Sequence, residues 1–179
     1  MALKKWEKIP SFMQNEKVYT YYKKLHKRKI SLVIKRIFDI IASLVMLILF
    51  LPIISILSLI IILDSRGGIF FRQIRVTRFG KRFKIIKFRT MRSEPTGSLI
   101  TLEDDSRITR VGKFLRKYRL DEIPQLINIL AGEMSFVGVR PEVEKYVEIY
   151  SDEMLATLLL PAGVTSETSI FYKNEQRML

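Results

Sequence analysis

From Ile40 to Leu63 the chain reads IIASLVMLILFLPIISILSLIIIL, 24 residues without a charge. As an α-helix this run reaches about 36 Å, enough to cover a hydrocarbon core of roughly 30 Å. A chain of 179 residues makes one ordinary domain plus an appendage and cannot wrap protein around every side of such a helix. The segment is therefore expected to meet a bilayer. Its late start and its length argue against a cleaved signal peptide.

The flanks complicate a simple crossing. Residues 1–36 hold eleven Lys/Arg against Glu7 and Glu16, and residues 66–92 hold ten with no acid. Both ends are thus drawn to the cytoplasmic side, and only one can win if the helix spans. Pro52 lies mid-run and removes a hydrogen bond, so a kink is expected there, with Ser55 and Ser58 placed to help satisfy freed carbonyls. A helix that bends at Pro52 and leaves by the same leaflet fits the charges. So does a tilted, kinked span.

The net charge of +13 calls for an anionic partner, whether nucleic acid, membrane surface or phosphorylated substrate. No cysteine is present, which excludes disulfides, thiolate catalysis and zinc–cysteine sites. His26 stands in the basic run KKLHKRK, where nothing nearby would orient it for catalysis. Chemistry is left to carboxylates, hydroxyls, Lys and Arg, and a metal to hard ions such as Mg²⁺. Trp6, Phe12, Tyr19, Tyr21 and Tyr22 among the N-terminal bases fit either an interfacial helix on anionic lipid or a loose basic tail.

Beyond the turn DSRGG, the stretches IFFRQIRV and RFKIIKFRTM read as strands joined at TRFGK. Residues 93–106 form a polar loop. A helix is expected from Ser106 as N-cap, with Val111, Phe114, Leu115 and Tyr118 on one face. A second carries Ile123, Leu126, Ile127 and Leu130 and stops near Gly132. A turn around Gly138 to Pro141 leads to a further helix, and 161–179 shows no strong period. The expected fold is a small mixed α/β unit joined to the membrane helix.

Asp121 and Glu122 are the candidate chemistry. Pro124 belongs in the first turn of a helix, which puts the two acids at or just before that helix's start, where negative charge is favoured. One acid suffices as a cap; the second is left over. Arg107, Arg110, Lys113, Arg116, Lys117 and Arg119 exceed what two carboxylates neutralise, an excess that suits a phosphorylated ligand with Mg²⁺.

In order and spacing, KRIFDII, DSRGGIFFRQIRV, FKIIKFRTM, DDSRITRVGKFLRKYRLDEIPQLINILAGEMSFVGVRPE and GVTS…SIFYKNE resemble the bacterial sugar transferases, the monotopic polyprenyl-phosphate phosphoglycosyl transferases. The likeness runs from about Lys35 to Glu175 and matches the small, single-domain form. It implies three segments: an interfacial stretch 1–34, a re-entrant membrane helix 35–64 broken at Pro52, and a catalytic domain 65–179. These would sit on the cytoplasmic face of a bacterial inner membrane.

The implied reaction moves a phosphosugar from a UDP-sugar to undecaprenyl phosphate, releases UMP and initiates glycan assembly. Asp121 would be the nucleophile and form an aspartyl phosphosugar intermediate, with Glu122, alongside Asp121, at Mg²⁺. Lys87, Arg89, Arg116 and Arg140 match phosphate-contacting positions, and Pro52, Pro124 and Pro141 are structural. For Lys87 and Arg89 taken singly, a solvated charge or a lipid-headgroup contact reads equally well. Anionic lipids are expected partners, downstream glycosyltransferases are possible ones, and nucleic acid is not expected.

Some positions depart from the family pattern. Val139 stands where a proline is usual, and Leu160, Pro161, Ala162 and Gly163 lack the usual base, which weakens a nucleotide contact there. The end at Leu179 leaves a second reading, a truncated and catalytically impaired scaffold that binds anionic lipid or nucleotide-sugar.

Overall fold

The structure, a computed structural model, describes residues 3–92 and 105–166. Its dominant element is α2, Lys29–Asp64, a helix of 36 residues that carries the apolar run. Before it lie 3₁₀ turns Trp6–Lys8 and Ser11–Met13 and helix α1, Glu16–Lys27. The expected boundary at 34/35 thus falls inside α2.

Leu32, Asp39, Ser43, Leu57 and Ile61 are buried on α2, with Met46, Leu47, Phe50 and Ile54 packed on the same side. Their spacing of three, four and seven residues marks one narrow stripe along nearly the whole helix. Most of the rest of the apolar run is open: Ile41, Ile48, Leu59 and Leu63 are all exposed, as is Ile34 before it, and only 11% of the most apolar window is buried. A stripe against protein and a wide apolar face without protein is the surface of a helix lying between a domain and lipid. α2 is long and apolar enough to cross a membrane.

α2 remains helical through Pro52. Ser55 donates to the Leu51 carbonyl (2.9 Å) and Ser58 to that of Ile54 (2.6 Å). Neither reaches the carbonyl of Ile48, which loses its helical donor to the proline. The role expected of the two serines is therefore corrected.

The hairpin forms as expected. β1, Phe70–Val76, pairs antiparallel with β2, Arg82–Phe88, through the 3₁₀ turn Arg78–Gly80. The next helix begins later than expected: Thr109, not Ser106, is the N-cap of α3, Arg110–Lys117, and accepts from the Gly112 amide (2.9 Å). Residues 107–109 are first drawn into pairing with 90–92, through Arg92 N–H to Arg107 O (2.9 Å) and Thr109 N–H to Thr90 O (3.0 Å). On α3 Gly112 and Leu115 are buried, while Phe114 and the C-cap residue Tyr118 face outward.

α4, Gln125–Ala131, ends at Gly132 in the left-handed conformation, as expected. Its inner face is Leu126, Ile129, Gln125 and Asn128, while Ile127 is exposed. Asn128 serves as a staple: it accepts from the Ile86 amide (3.0 Å) and donates to the Lys84 carbonyl (2.9 Å), tying α4 to β2.

Sequence reading missed two strands. β3, Met134–Val137, pairs in parallel with β4, Ala162–Thr165. Between them lie the short helix α5, Glu144–Val147, and the 3₁₀ segment Met154–Leu159. The N-terminal stretch is no loose tail. Ile9, Met13, Val18 and Tyr22 form a buried cluster with Val76, Phe79, Leu155, Leu158 and Leu159. The SIFYKNE motif and most of the 93–106 loop lie outside the described residues.

Candidate active site

Asp121 and Glu122 lie in a single 3₁₀ turn, Leu120–Glu122. They stand ahead of α4 without capping it: Pro124 occupies the N-cap position and no side chain caps the helix. The expectation of one acid as a cap gives way to neutralisation by side chains. The Lys87 ammonium, on β2, donates to Glu122 Oε1 (2.7 Å), and Arg140 Nη2 lies 3.7 Å from the same oxygen. No described residue donates to Glu122 Oε2.

Asp121 differs from its neighbour. Among the described residues it makes no ion pair within 4.0 Å. Burial pushes its carboxyl above the usual carboxylate range; Lys87 opposes the rise, Glu122 adds to it, and Arg116 opposes it from α3. A half-desolvated acid with cations near but not clamped on it retains its nucleophilic oxygens. Glu122 is ion-paired and Asp121, which accepts from its own backbone, is not.

The loop that brings Arg140 is fixed from behind. Arg75 donates to the Pro141 carbonyl (3.2 Å) and, twice, to Gln73 Oε1, while the Val76 amide donates to the Glu142 carbonyl (2.9 Å). Pro141 is buried there. From the other side, Gly138 N–H donates to Thr165 O (3.0 Å) and Gly163 N–H to Val139 O (2.8 Å). A Cβ on Gly163 would come within 2.2 Å of the Gly138 nitrogen, so only glycine permits this approach. Gly163 and Val164 thereby join Arg75, Lys87, Glu122, Gln125 and Arg140 around one small cleft. The 160–163 loop reaches the site through backbone, without the base it lacks.

Of the bases expected at phosphates, Lys87, Arg116 and Arg140 gather around the acids, and Arg89 does not. Buried at the end of α2, Arg89 donates to Ser65 O (2.5 Å), Arg66 O (2.9 Å) and Ile61 O (3.4 Å). The Ile61 carbonyl already accepts from the Ser65 amide (3.3 Å), but no described backbone amide serves those of Ser65 and Arg66, so Arg89 is a cap joining β2's end to the membrane helix. Sequence reading also missed Arg75, Gln73 and Asn128, whose only signal was polarity inside apolar segments.

No group of three or more metal-ligating His, Cys, Asp or Glu side chains exists among the described residues. The open Oε2 of Glu122 and the unclamped Asp121 nevertheless suit an ion that takes one or two carboxylates and completes its shell with phosphate and water, as Mg²⁺ does.

The family model for bacterial sugar transferases matches residues 30–178. The chain belongs to that family. It is 38% identical over 150 residues to the putative undecaprenyl-phosphate N-acetylgalactosaminyl 1-phosphate transferase of Bacillus subtilis, covering 83% of this chain and 78% of that one. It is 35% identical over 158 residues to the exopolysaccharide production protein ExoY of Rhizobium meliloti, covering 79% and 70%. To the Escherichia coli UDP-glucose:undecaprenyl-phosphate glucose-1-phosphate transferase it is 36% identical over 159 residues, covering 81% of this sugar transferase and 34% of the relative. This bacterial sugar transferase thus spans most of its shorter relatives and about a third of the longer ones.

Proposed function

We propose that this protein is a membrane-bound phosphotransferase that moves a phosphosugar from a UDP-sugar to undecaprenyl phosphate and so initiates glycan assembly. The observation that carries the reading is the asymmetry of the acid pair: Glu122 is locked by Lys87 and Arg140, while Asp121 is desolvated and unclamped beside them. In the first displacement an Asp121 oxygen attacks the sugar-bearing phosphorus. The bond from that phosphorus to the bridging oxygen breaks, and UMP leaves with the electron pair. In the second, a phosphate oxygen of the lipid attacks the same phosphorus, and the Asp121 carboxylate departs as the lipid diphosphate sugar forms. Lys87, Arg116 and Arg140 stabilise charge on the transferring group. Mg²⁺, held by Glu122 and Asp121, would neutralise diphosphate oxygens.

The packing of α2 supports a particular membrane arrangement. Its stripe meets the polar domain from Leu32 to Ile61, so a perpendicular crossing would drag that domain into hydrocarbon. A re-entrant helix bent near Pro52 keeps both ends, and both basic flanks, at the cytoplasmic face of the inner membrane. Residues 3–28 then lie at the interface, where Lys23, Lys24, Lys27 and Arg28 are exposed to anionic headgroups. Enzymes that extend the glycan are candidate neighbours.

The test is UMP release from a panel of UDP-sugars with undecaprenyl phosphate and Mg²⁺. The wild type turns over at least one donor, and Asp121→Asn abolishes turnover while remaining membrane-bound. Equal turnover by the Asn variant refutes the nucleophile, and silence of the wild type on every donor favours a binding scaffold.

A further inference from the structure

A cavity of ≈ 520 Å³ opens beside the contact between α2 and the catalytic domain, within the roughly 300–1,000 Å³ typical of small-molecule sites. Met46 and Phe50 of α2 form one wall, and Leu126, Ile129 and Val164 of the domain form the other. Its polar lining is confined to Arg119, Glu122 and Thr165. Glu122 is the locked member of the acid pair. The cavity is therefore an apolar space with its charged groups next to the reacting carboxylate, walled by a helix whose opposite face is bare of protein.

Two features of Arg119 bear on this cavity. Its backbone is left-handed (φ 54°, ψ 24°), a conformation that non-glycine side chains seldom adopt and that carries strain. Its exposed guanidinium makes no hydrogen bond or ion pair with any described residue, whereas Lys87 and Arg140 are both engaged by Glu122. A strained turn thus holds an unpaired fork-shaped cation at the rim of an oily cavity, one residue pair away from the nucleophile. The ligand that fits is apolar at one end and carries a phosphate at the other.

We propose that this cavity takes the phosphate-proximal isoprenoid units of the lipid acceptor and that Arg119 pairs with the acceptor's phosphate. The inference rests on the phosphotransferase reading for the identity of its ligand. The occupant is a long-chain prenyl monophosphate because the cation needs an anionic head, the walls need hydrocarbon, and the wall helix lies against the phase in which such lipids diffuse laterally. Docking the tail here would bring its phosphate to the Arg119 and Glu122 end of the cavity, next in the chain to the residue the second displacement uses.

The experiment uses the full chain in lipid nanodiscs and a farnesyl monophosphate with a diazirine on its first isoprene unit. After illumination, residue-level mass spectrometry is expected to place adducts on Met46 or Phe50 and on Val164 or Thr165. Unlabelled farnesyl phosphate should compete, and farnesol should compete poorly. Arg119→Gln should weaken labelling about tenfold or more, as expected for losing a charge-assisted hydrogen bond, and Arg119→Lys should recover part of it. Met46→Trp, which fills the cavity, should also reduce labelling. In turnover assays Arg119→Gln should raise the KM for the lipid and barely move that for the UDP-sugar.

Adducts confined to the lipid-facing residues Ile41, Leu44 or Ile48 would overturn the proposal. Equal competition by phosphatidylglycerol would do the same, since the cavity would then be a general lipid site. Stronger labelling on deletion of residues 167–179 would mean that the chain's own C-terminal segment fills it. Labelling as described in a chain that never releases UMP would keep the cavity and remove the reaction.

Discussion

The two ends of α2 are fastened to the same domain by opposite means. Near its start the helix reaches out: Arg36 donates to the carbonyls of Ile129 (2.7 Å) and Leu130 (2.9 Å) at the end of α4. Asp39, 1% exposed, accepts from Ser135 Oγ (2.9 Å) and the Phe136 amide (3.3 Å), with Lys35 alongside. At its far end the domain reaches in, and Arg89 caps the carbonyls of Ile61, Ser65 and Arg66. Between these clasps the contact is apolar, through Met46, Leu47, Phe50, Ile54 and Leu57. Polar groups thus fix position and register at each end, while hydrocarbon fills the middle. The acid pair hangs from that middle, so slippage at either clasp would reach the site.

Breaking the far clasp should cost most. Arg89→Met removes the side-chain donor to the Ser65 and Arg66 carbonyls at the end of α2, and we expect about 3 kcal/mol of lost stability in detergent unfolding. Loss within the noise of the surface variant Lys145→Gln would show that water serves those carbonyls as well as Arg89 does. The near clasp has a shorter reach. Asp39→Ala strips the Ser135 hydroxyl and Phe136 amide of their acceptor and should cost about 2 kcal/mol, with Ser135→Ala in the same background adding little because the two share one interaction. Additive losses in that double variant would dissolve the network.

A smaller effect comes from the site between the clasps. Burial raises the folded pKa of Asp121 above its unfolded value, so folding favours the protonated form. That contribution is fully present below the unfolded carboxylate pKa and is lost as pH rises through the folded one. Asp121→Asn should therefore be slightly more stable than wild type at neutral pH, with the gap closing on acidification. A gap that widens on acidification would mean that Asp121 is stabilised as the anion. The rate of the first displacement should likewise fall as pH drops through the raised pKa.

The sequence made the membrane helix legible because 24 uncharged residues leave few alternatives, and it exposed the hairpin because β-branched and aromatic residues flank a glycine turn. The acid pair and its Arg140 loop were also visible in order and spacing. Other features were not. β3 and β4 are four residues each and pair across a long separation in sequence, so neither carries a periodic signal. Arg89 in KFRTM looks the same whether it meets a phosphate or helix carbonyls, and only the placement of α2's end decides. Tyr22 read as one aromatic of an interfacial helix or a loose basic tail, yet with Val18 it is buried against Leu155 and Leu158. What α1 shows outward is its basic face.

The most direct test of the mechanism is to give the purified enzyme a UDP-sugar it turns over, with Mg²⁺ and no lipid acceptor, and to weigh the intact chain. The two-displacement account predicts a mass increase of one phosphosugar, mapped to Asp121, discharged by added undecaprenyl phosphate and absent in Asp121→Asn. An unmodified chain that still turns over when the acceptor is added, or an adduct on another residue, would contradict it.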